Sequence, residues 1–326
     1  MLEFYQNLAQ ELDQAAVVLA TVTMTYGSVP REVGAKMIVC GDGRILGTIG
    51  GGAGEAKVYQ QALTILKSGQ KQFVEIDLTG LGSRDTQGVC GGRMQVWLER
   101  WSGLPSRMVV HQMLDLLKSG QPGVLRTSFQ TEALPDVLPQ VQLPTPIQVN
   151  SEFMLEALVA PPTLAIVGAG HIAVPLAQIA QLAGFQIVVT DDRPDFAHPD
   201  RFPADAIVLP QPLNQALPQV INKPHLYAAL VTRSYHHDLE ALHLLLQAPT
   251  HYIGMIGSEK RVRMVHQVLL QAGYSASTLQ AIHAPIGLDI GALTPAEIAV
   301  SISAELIQVR RGGNGHSLSE RLGWGT

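Results

Sequence analysis

Cys90 lies in the run Gly88-Val89-Cys90-Gly91-Gly92-Arg93, a glycine loop with Arg84 and Arg93 close in sequence. Neighbouring cations lower a thiol pKa and flanking glycines leave the sulfur uncovered, so this setting suits a reactive thiol. The same residue also reads as a small side chain filling a turn. Cys40 differs, because it ends an extended run over residues 36–40 and is expected to be buried. Two cysteines far apart, with no CxxC, give no disulfide framework and no zinc signature, the usage of a reducing cytoplasm.

Two glycine-rich stretches offer a second chemistry, the binding of an anion by backbone NH groups. In the first, Gly50, Gly51 and Gly52 precede a helix expected over residues 56–66 that Glu55 introduces. Three glycines there leave NH groups free to converge on one anion, with Arg31 and Lys36 as candidate added charge. The alternative is a tight crossing of helix on strand that only glycine allows. No Lys-Ser/Thr pair follows, so the stretch is not a P-loop. In the second, Gly168-x-Gly170-x-x-Ala173 follows an apolar strand over 164–167 and opens a helix through His171 to about residue 183. A strand over 185–189 then ends on Asp191, 23 residues after Gly168, with Asp192 and Arg193 next. An acid about 20 residues beyond the first glycine is where a ribose hydroxyl is met in a dinucleotide site. The unit is either a working phosphate site or a Rossmann scaffold kept without one.

Further groups follow later strands. Ser234, His236, His237 and Asp238 come after a fourth strand over 227–232, where a parallel sheet binds its ligands, so this loop is a candidate second wall. Adjacent histidines point apart and no third ligand stands at useful spacing, so helix capping by Ser234 or Asp238 is preferred to a metal site. Lys260, Arg261 and Arg263 start the helix after a fifth strand, either to balance phosphates or as a solvated face.

These groups need two sets of elements to position them. A chain of 326 residues exceeds one ordinary core, and 46% hydrophobic with 15% charged residues suits a soluble α/β protein. The expectation is a C-terminal Rossmann-type parallel sheet with helices on both faces, over 156–326, and an N-terminal mixed α+β domain over 1–155. A linker is expected at about 130–160, where prolines cluster. A net charge of −5 argues against a general nucleic-acid binder. The start of the chain lacks a basic region before an apolar run, and no apolar run reaches spanning length, so a cytoplasmic protein without membrane attachment is expected. Thr294, Pro295 and Glu297 form a helix start of the capping-box kind.

Several blocks, in order, carry a resemblance: TYGSVPREVGAKMIV, GTIGGGAGE, GVCGGRM, LAIVGAGHIAVPLAQIA, VVTDDRPDFA, YIGMIGSEKR and IHAPIGLDIGALTPAEIAVSISAEL. Together they resemble the XdhC/CoxI family of xanthine dehydrogenase accessory proteins, over roughly 19–99 and 164–311. The resemblance implies a carrier more than a catalyst: a chaperone that binds molybdenum cofactor (molybdopterin), protects its sulfurated form and delivers it to an apo molybdenum hydroxylase. It also implies a cysteine desulfurase as sulfur donor. The family motifs fall on Gly27, Ser28, Pro30, Arg31, Gly34, Lys36, Gly50, Gly51, Gly52, Glu55, Cys90, Gly91, Gly92, Gly168, Gly170, His171, Asp191, Asp192 and Arg193. Cys90 would then lie near molybdenum or carry sulfur. Lys36 stands where arginine is common, and Arg233-Ser234-Tyr235-His236 departs from the family's threonine-histidine pattern. The competing expectation is an NAD(P)-dependent oxidoreductase using Gly168, Gly170 and Asp191, for which the sequence offers no set of acid, base and substrate clamp. A homodimer is expected on the frequency of two-fold symmetry alone.

Overall fold

The computed structural model describes residues 1–79, 91–130, 133–139 and 147–322. Two compact units, Met1–Ala160 and Pro161–Thr326, divide the chain. In the first, α1 (Leu2–Gln14) leads into β1 (Val17–Tyr26), and β2 (Lys36–Val39) and β3 (Ile45–Gly47) form a hairpin around Gly41-Asp42-Gly43. Then come α2 (Gly52–Ser68), β4 (Gln72–Asp77), β5 (Arg93–Trp101) and α3 (Gly103–Ser119). The five strands make an antiparallel sheet in the order β3-β2-β1-β5-β4.

Alternate residues of β1 face opposite sides of that sheet, as strand geometry requires. Val18, Ala20 and Val22 meet Val58, Ala62 and Ile65 of α2, whereas Val17 and Leu19 meet Tyr5 and Leu8 of α1 and Val110 and Met113 of α3. Each valine, leucine, isoleucine or methionine among them, fully buried, contributes about 1.5–3 kcal/mol. The helix expected over 56–66 begins earlier, at Gly52, because Gly54 lies inside the contact with β4. A Cβ on Gly54 would sit 2.8 Å from Ile76 Cγ2, so this glycine serves the tight crossing of helix on strand.

The expected linker at 130–160 instead carries three strands among its described residues. β6 (Gly123–Ser128), β7 (Asp136–Pro139), β8 (Ile147–Val149) and β9 (Phe153–Leu158) pair antiparallel in the order β7-β6-β9-β8. Its prolines mask a real alternation: Met154, Glu156 and Leu158 are buried while their neighbours are half-buried. Glu156 holds β9 against β2 through a buried ion pair with Lys36 (2.8 Å) and accepts a bond from the Tyr5 hydroxyl (3.4 Å).

The second unit runs β10 (Thr163–Val167), α4 (Ala173–Leu182), β11 (Gln186–Thr190), β12 (Ile207–Leu209), α5 (Leu213–Ala216) and β13 (Leu226–Leu230). It continues through α6 (Tyr235–Leu245), β14 (Thr250–Met255), α7 (Glu259–Gln271), α8 (Ala276–Gln280), β15 (Ile282–His283) and α9 (Pro295–Arg311). Its strands are all parallel and lie in the order β12-β11-β10-β13-β14-β15. Counted from β10 this is 3-2-1-4-5-6, the doubly wound order of dinucleotide-binding sheets. Leu164 and Ile166 turn toward α4 and α9, and Ala165 and Val167 toward α6 and α7, so helices cover both faces. α9 starts with the expected capping box: Thr294 caps the Glu297 NH and Glu297 returns to the Thr294 NH (2.8 Å). Among the described residues no helix is long and apolar enough to cross a membrane.

Candidate functional site

In the N-terminal unit, three blocks distant in sequence meet where β1 ends and β5 begins. A Cβ on Gly27 would lie 3.1 Å from the Gly91 carbonyl, one on Gly92 2.4 Å from the Ser28 carbonyl, and one on Gly50 2.4 Å from Pro30 Cγ. Residues 27–28 and 91–92 therefore pack backbone against backbone, and Gly50 packs under the Pro30 ring. Arg31 is exposed beside Gly50 and makes no ion pair among the described residues. Cys90 lies outside the described residues. Cys40 is buried, as expected, and burial pushes its thiol up to about 12, out of reach of thiolate chemistry at neutral pH.

Two N-terminal candidates have other duties. Lys36 is committed to Glu156 and to the Thr21 hydroxyl (3.4 Å), so its charge is spent inside the unit instead of on an external phosphate. The expected anion cradle at Gly50, Gly51 and Gly52 already holds an anion, the carboxylate of Glu55. One of its oxygens accepts the Ile49 NH (3.1 Å), the Gly51 NH (3.1 Å) and the Thr48 hydroxyl (2.6 Å), and Thr48 in turn accepts the Gly50 NH (3.0 Å). Burial would raise the Glu55 carboxyl, but the Thr48 hydroxyl and these NH groups overcome it and hold the group below its ordinary value. Gly51 and Gly52 remain exposed.

In the C-terminal unit the fingerprint turn is arranged differently. Gly168 has φ +103°, and a Cβ there would strike the Val231 carbonyl at 2.7 Å, so it is the close-packing glycine between β10 and β13. A Cβ on Gly170 meets no atom within 4 Å, which leaves its face of the turn open. Among the described residues the NH groups of Gly170, His171 and Ile172 meet no acceptor, and they stand at the positive end of α4. His171 is exposed.

Asp191 is not a free ribose acceptor. One oxygen takes the Arg193 NH (3.0 Å) and Nε (2.8 Å), and the other takes the Ala169 NH (2.8 Å) and Arg193 Nη2 (2.8 Å). Burial alone would raise the carboxyl. The Arg193 guanidinium and the two NH groups instead hold it well below the usual carboxylate range. Asp191 thus fastens the glycine turn to β11, and Arg193, lying over the Phe196 ring at 3.8 Å, completes that brace. Asp192 is exposed and pairs with Arg233 (2.9 Å).

Asp192 and Arg233 edge a pocket of about 80 Å³ at the carboxyl ends of β10, β11 and β13. Val167, Pro212 and Leu213 give it apolar walls, and Thr190, Thr232, His237 and Glu240 add polar groups. The loop after the fourth strand is thereby one of its walls. Ser234 caps α6, and Asp238 is fully buried against Thr232 (2.6 Å) and Arg261 (2.7 Å). Arg261 and Arg263 are both in ion pairs, with Asp238 and Glu259, so neither stands free for a ligand phosphate. Thr190, Pro212, Leu213 and Glu240 were not legible as site residues. The available signal was that Thr190 ends β11 and that Pro212 and Leu213 follow β12, strands that the 3-2-1-4 order makes neighbours, whereas Glu240 lies within α6. Among the described residues no group of three or more His, Cys, Asp or Glu is placed to hold a metal ion.

Fold and site together define a two-unit protein whose C-terminal half is a dinucleotide-type Rossmann unit and whose N-terminal half gathers three glycine-bearing blocks. Residues 164–306 match the XdhC Rossmann domain and residues 12–77 match the XdhC and CoxI family. The chain is 31% identical to a probable xanthine dehydrogenase subunit of Bacillus subtilis, covering 92% of this chain and 94% of that protein. It is 26% identical to the molybdenum cofactor insertion chaperone PaoD of Escherichia coli, over 90% of this chain and 83% of that one. A crystal structure of a xanthine dehydrogenase from Bacillus halodurans superposes with a TM-score of 0.81 at 28% identity, covering 98% of this chain and 99% of that chain. The chain belongs to the XdhC and CoxI family.

Proposed function

We propose that the chain is an accessory protein of a xanthine dehydrogenase-type molybdenum hydroxylase, which binds molybdenum cofactor, guards its sulfurated form and hands it to the apo enzyme. What supports this reading is similarity along nearly the whole chain to a molybdenum cofactor insertion chaperone, joined to the meeting of residues 27–31, Gly50 and residues 91–92 at one end of one sheet. A pterin phosphate is a flat, anionic cargo. The exposed backbone of Gly51 and Gly52 admits a flat group closely, and Arg31 supplies a cation beside it. Lys36 and the NH groups of Ile49 and Gly51, which are spent on Glu55, donate nothing to that contact.

Cys90 adjoins this block in sequence and is the group we assign to the sulfur or molybdenum of the cargo, with a cysteine desulfurase as sulfur source. The working form is a homodimer in the cytoplasm. The test is transfer: the chain, purified from cells making the cofactor, is mixed with apo xanthine dehydrogenase, and urate formation is followed. Wild type restores activity, Cys90→Ser restores less, and Arg31→Ala lowers the amount of cofactor transferred. No restoration by wild type, with the same apo enzyme activated by free cofactor, overturns the reading.

A further inference from the structure

We propose that the pocket at the carboxyl ends of β10, β11 and β13 is a nucleotide site, with Asp192 in place of Asp191 as the ribose acceptor. The strand order sets the pocket at the switch point of a doubly wound sheet, where β10 leads one way to β11 and the other way to β13. Val167, Pro212 and Leu213 offer apolar surface to a flat base. Gly168 also lines the pocket, and the turn that continues from it carries the Gly170, His171 and Ile172 NH groups, with open space at Gly170, which suit a phosphate.

One observation apart from the helix start points to a ligand. Thr190 lines the pocket, is 1% exposed, and among the described residues its hydroxyl has no partner. Buried polar atoms of this kind are rarely left unpaired without a reason. The ribose contact shifts by one residue because both oxygens of Asp191 are filled from within the fold. Asp192 is the next carboxylate, exposed at the rim, and among the described residues it pairs with Arg233. A ribose diol replaces Arg233 on Asp192, and the released guanidinium remains at the rim to meet the charge of the nucleotide.

This proposal stands apart from the carrier reading, since it concerns only the C-terminal unit and needs no molybdenum. The experiment is calorimetric titration of the purified full chain with ADP, CDP, GDP and NADH. At least one is expected to bind one to one, and its 2′,3′-dideoxy analogue to bind at least tenfold more weakly. Gly170→Asp places a carboxylate at the NH groups in space that is open, so it should melt like wild type yet lose at least thirtyfold in affinity. Asp192→Asn should erase the penalty for the missing diol. NADH binding more tightly than ADP assigns the site to a nicotinamide dinucleotide. Diphosphates matching NADH assign it to the nucleotide end of another dinucleotide. No binding by any of the four, or affinity unchanged in Gly170→Asp, overturns the proposal. If those failures accompany molybdenum and pterin on the purified chain, the carrier reading survives and the nucleotide site does not.

Discussion

At residues 48–52 backbone NH groups converge on a carboxylate that α2 itself supplies, whereas at residues 168–172 the Gly168 NH goes to the Thr190 carbonyl, the Ala169 NH to Asp191, and the next three meet no acceptor among the described residues. The two turns look alike in sequence, each a glycine string before a helix. They differ in charge balance. Glu55 has no cation partner among the described residues, so a second anion at its nest would face a like charge. Asp191 is neutralised by Arg193, and Asp192 by Arg233, so the positive end of α4 is not cancelled. What makes a glycine turn an anion site is whether its NH groups are still unspent and its acids already paired.

The largest test of that contrast is Asp191→Ala. It removes a buried anion and strands both the Ala169 NH and the Arg193 side chain, and should cost about 2–3 kcal/mol in denaturant unfolding. Its neighbour Asp192→Asn should change stability by less than about 0.5 kcal/mol, because the pair it breaks is exposed. Equal effects would erase the distinction between brace and rim.

The glycines come next. Gly168→Ala meets both an unfavourable φ and the Val231 carbonyl and should cost about 2 kcal/mol, whereas Gly170→Ala should be within about 0.5 kcal/mol of wild type. Gly54→Ala in the other unit should resemble Gly168→Ala, at about 1–3 kcal/mol, since Ile76 is buried and has little room to yield.

A smaller effect is expected from Glu55→Gln, about 1 kcal/mol at neutral pH. The folded Glu55 carboxyl is depressed, so its contribution is complete above the unfolded value of about 4.3 and is lost as pH falls through the lower folded value. Wild type should therefore lose stability below about pH 4 more steeply than Glu55→Gln in melts run from pH 7 to 3. Parallel curves would mean the nest is not held by charge. Smallest is Arg31→Ala, which should leave the melting temperature unchanged while reducing bound cofactor.

The C-terminal fold was legible because its signals are local and repeated: short apolar strands, glycine turns, and a capping box that places the start of α9 correctly. The strand over 153–158 was hidden by nearby prolines, and its purpose, to bring Glu156 under Lys36, depends on a pairing 120 residues apart that no local pattern records. The site was legible as motifs and not as roles. Sequence spacing sets an acid after β11, but which of two adjacent aspartates faces outward is decided by Arg193 folding back on the first. Likewise Glu55 reads as a helix-start acid, and only its reach back to Ile49 and Gly51 reveals that it fills the nest it precedes.

The most direct test of the central claim is cargo content. The chain is purified from cells that make molybdenum cofactor, molybdenum is counted by mass spectrometry, and pterin is measured as its fluorescent oxidation product. The account predicts molybdenum and pterin together, near one of each per chain. Neither signal, in protein from cells whose own molybdenum hydroxylases are active, would contradict it.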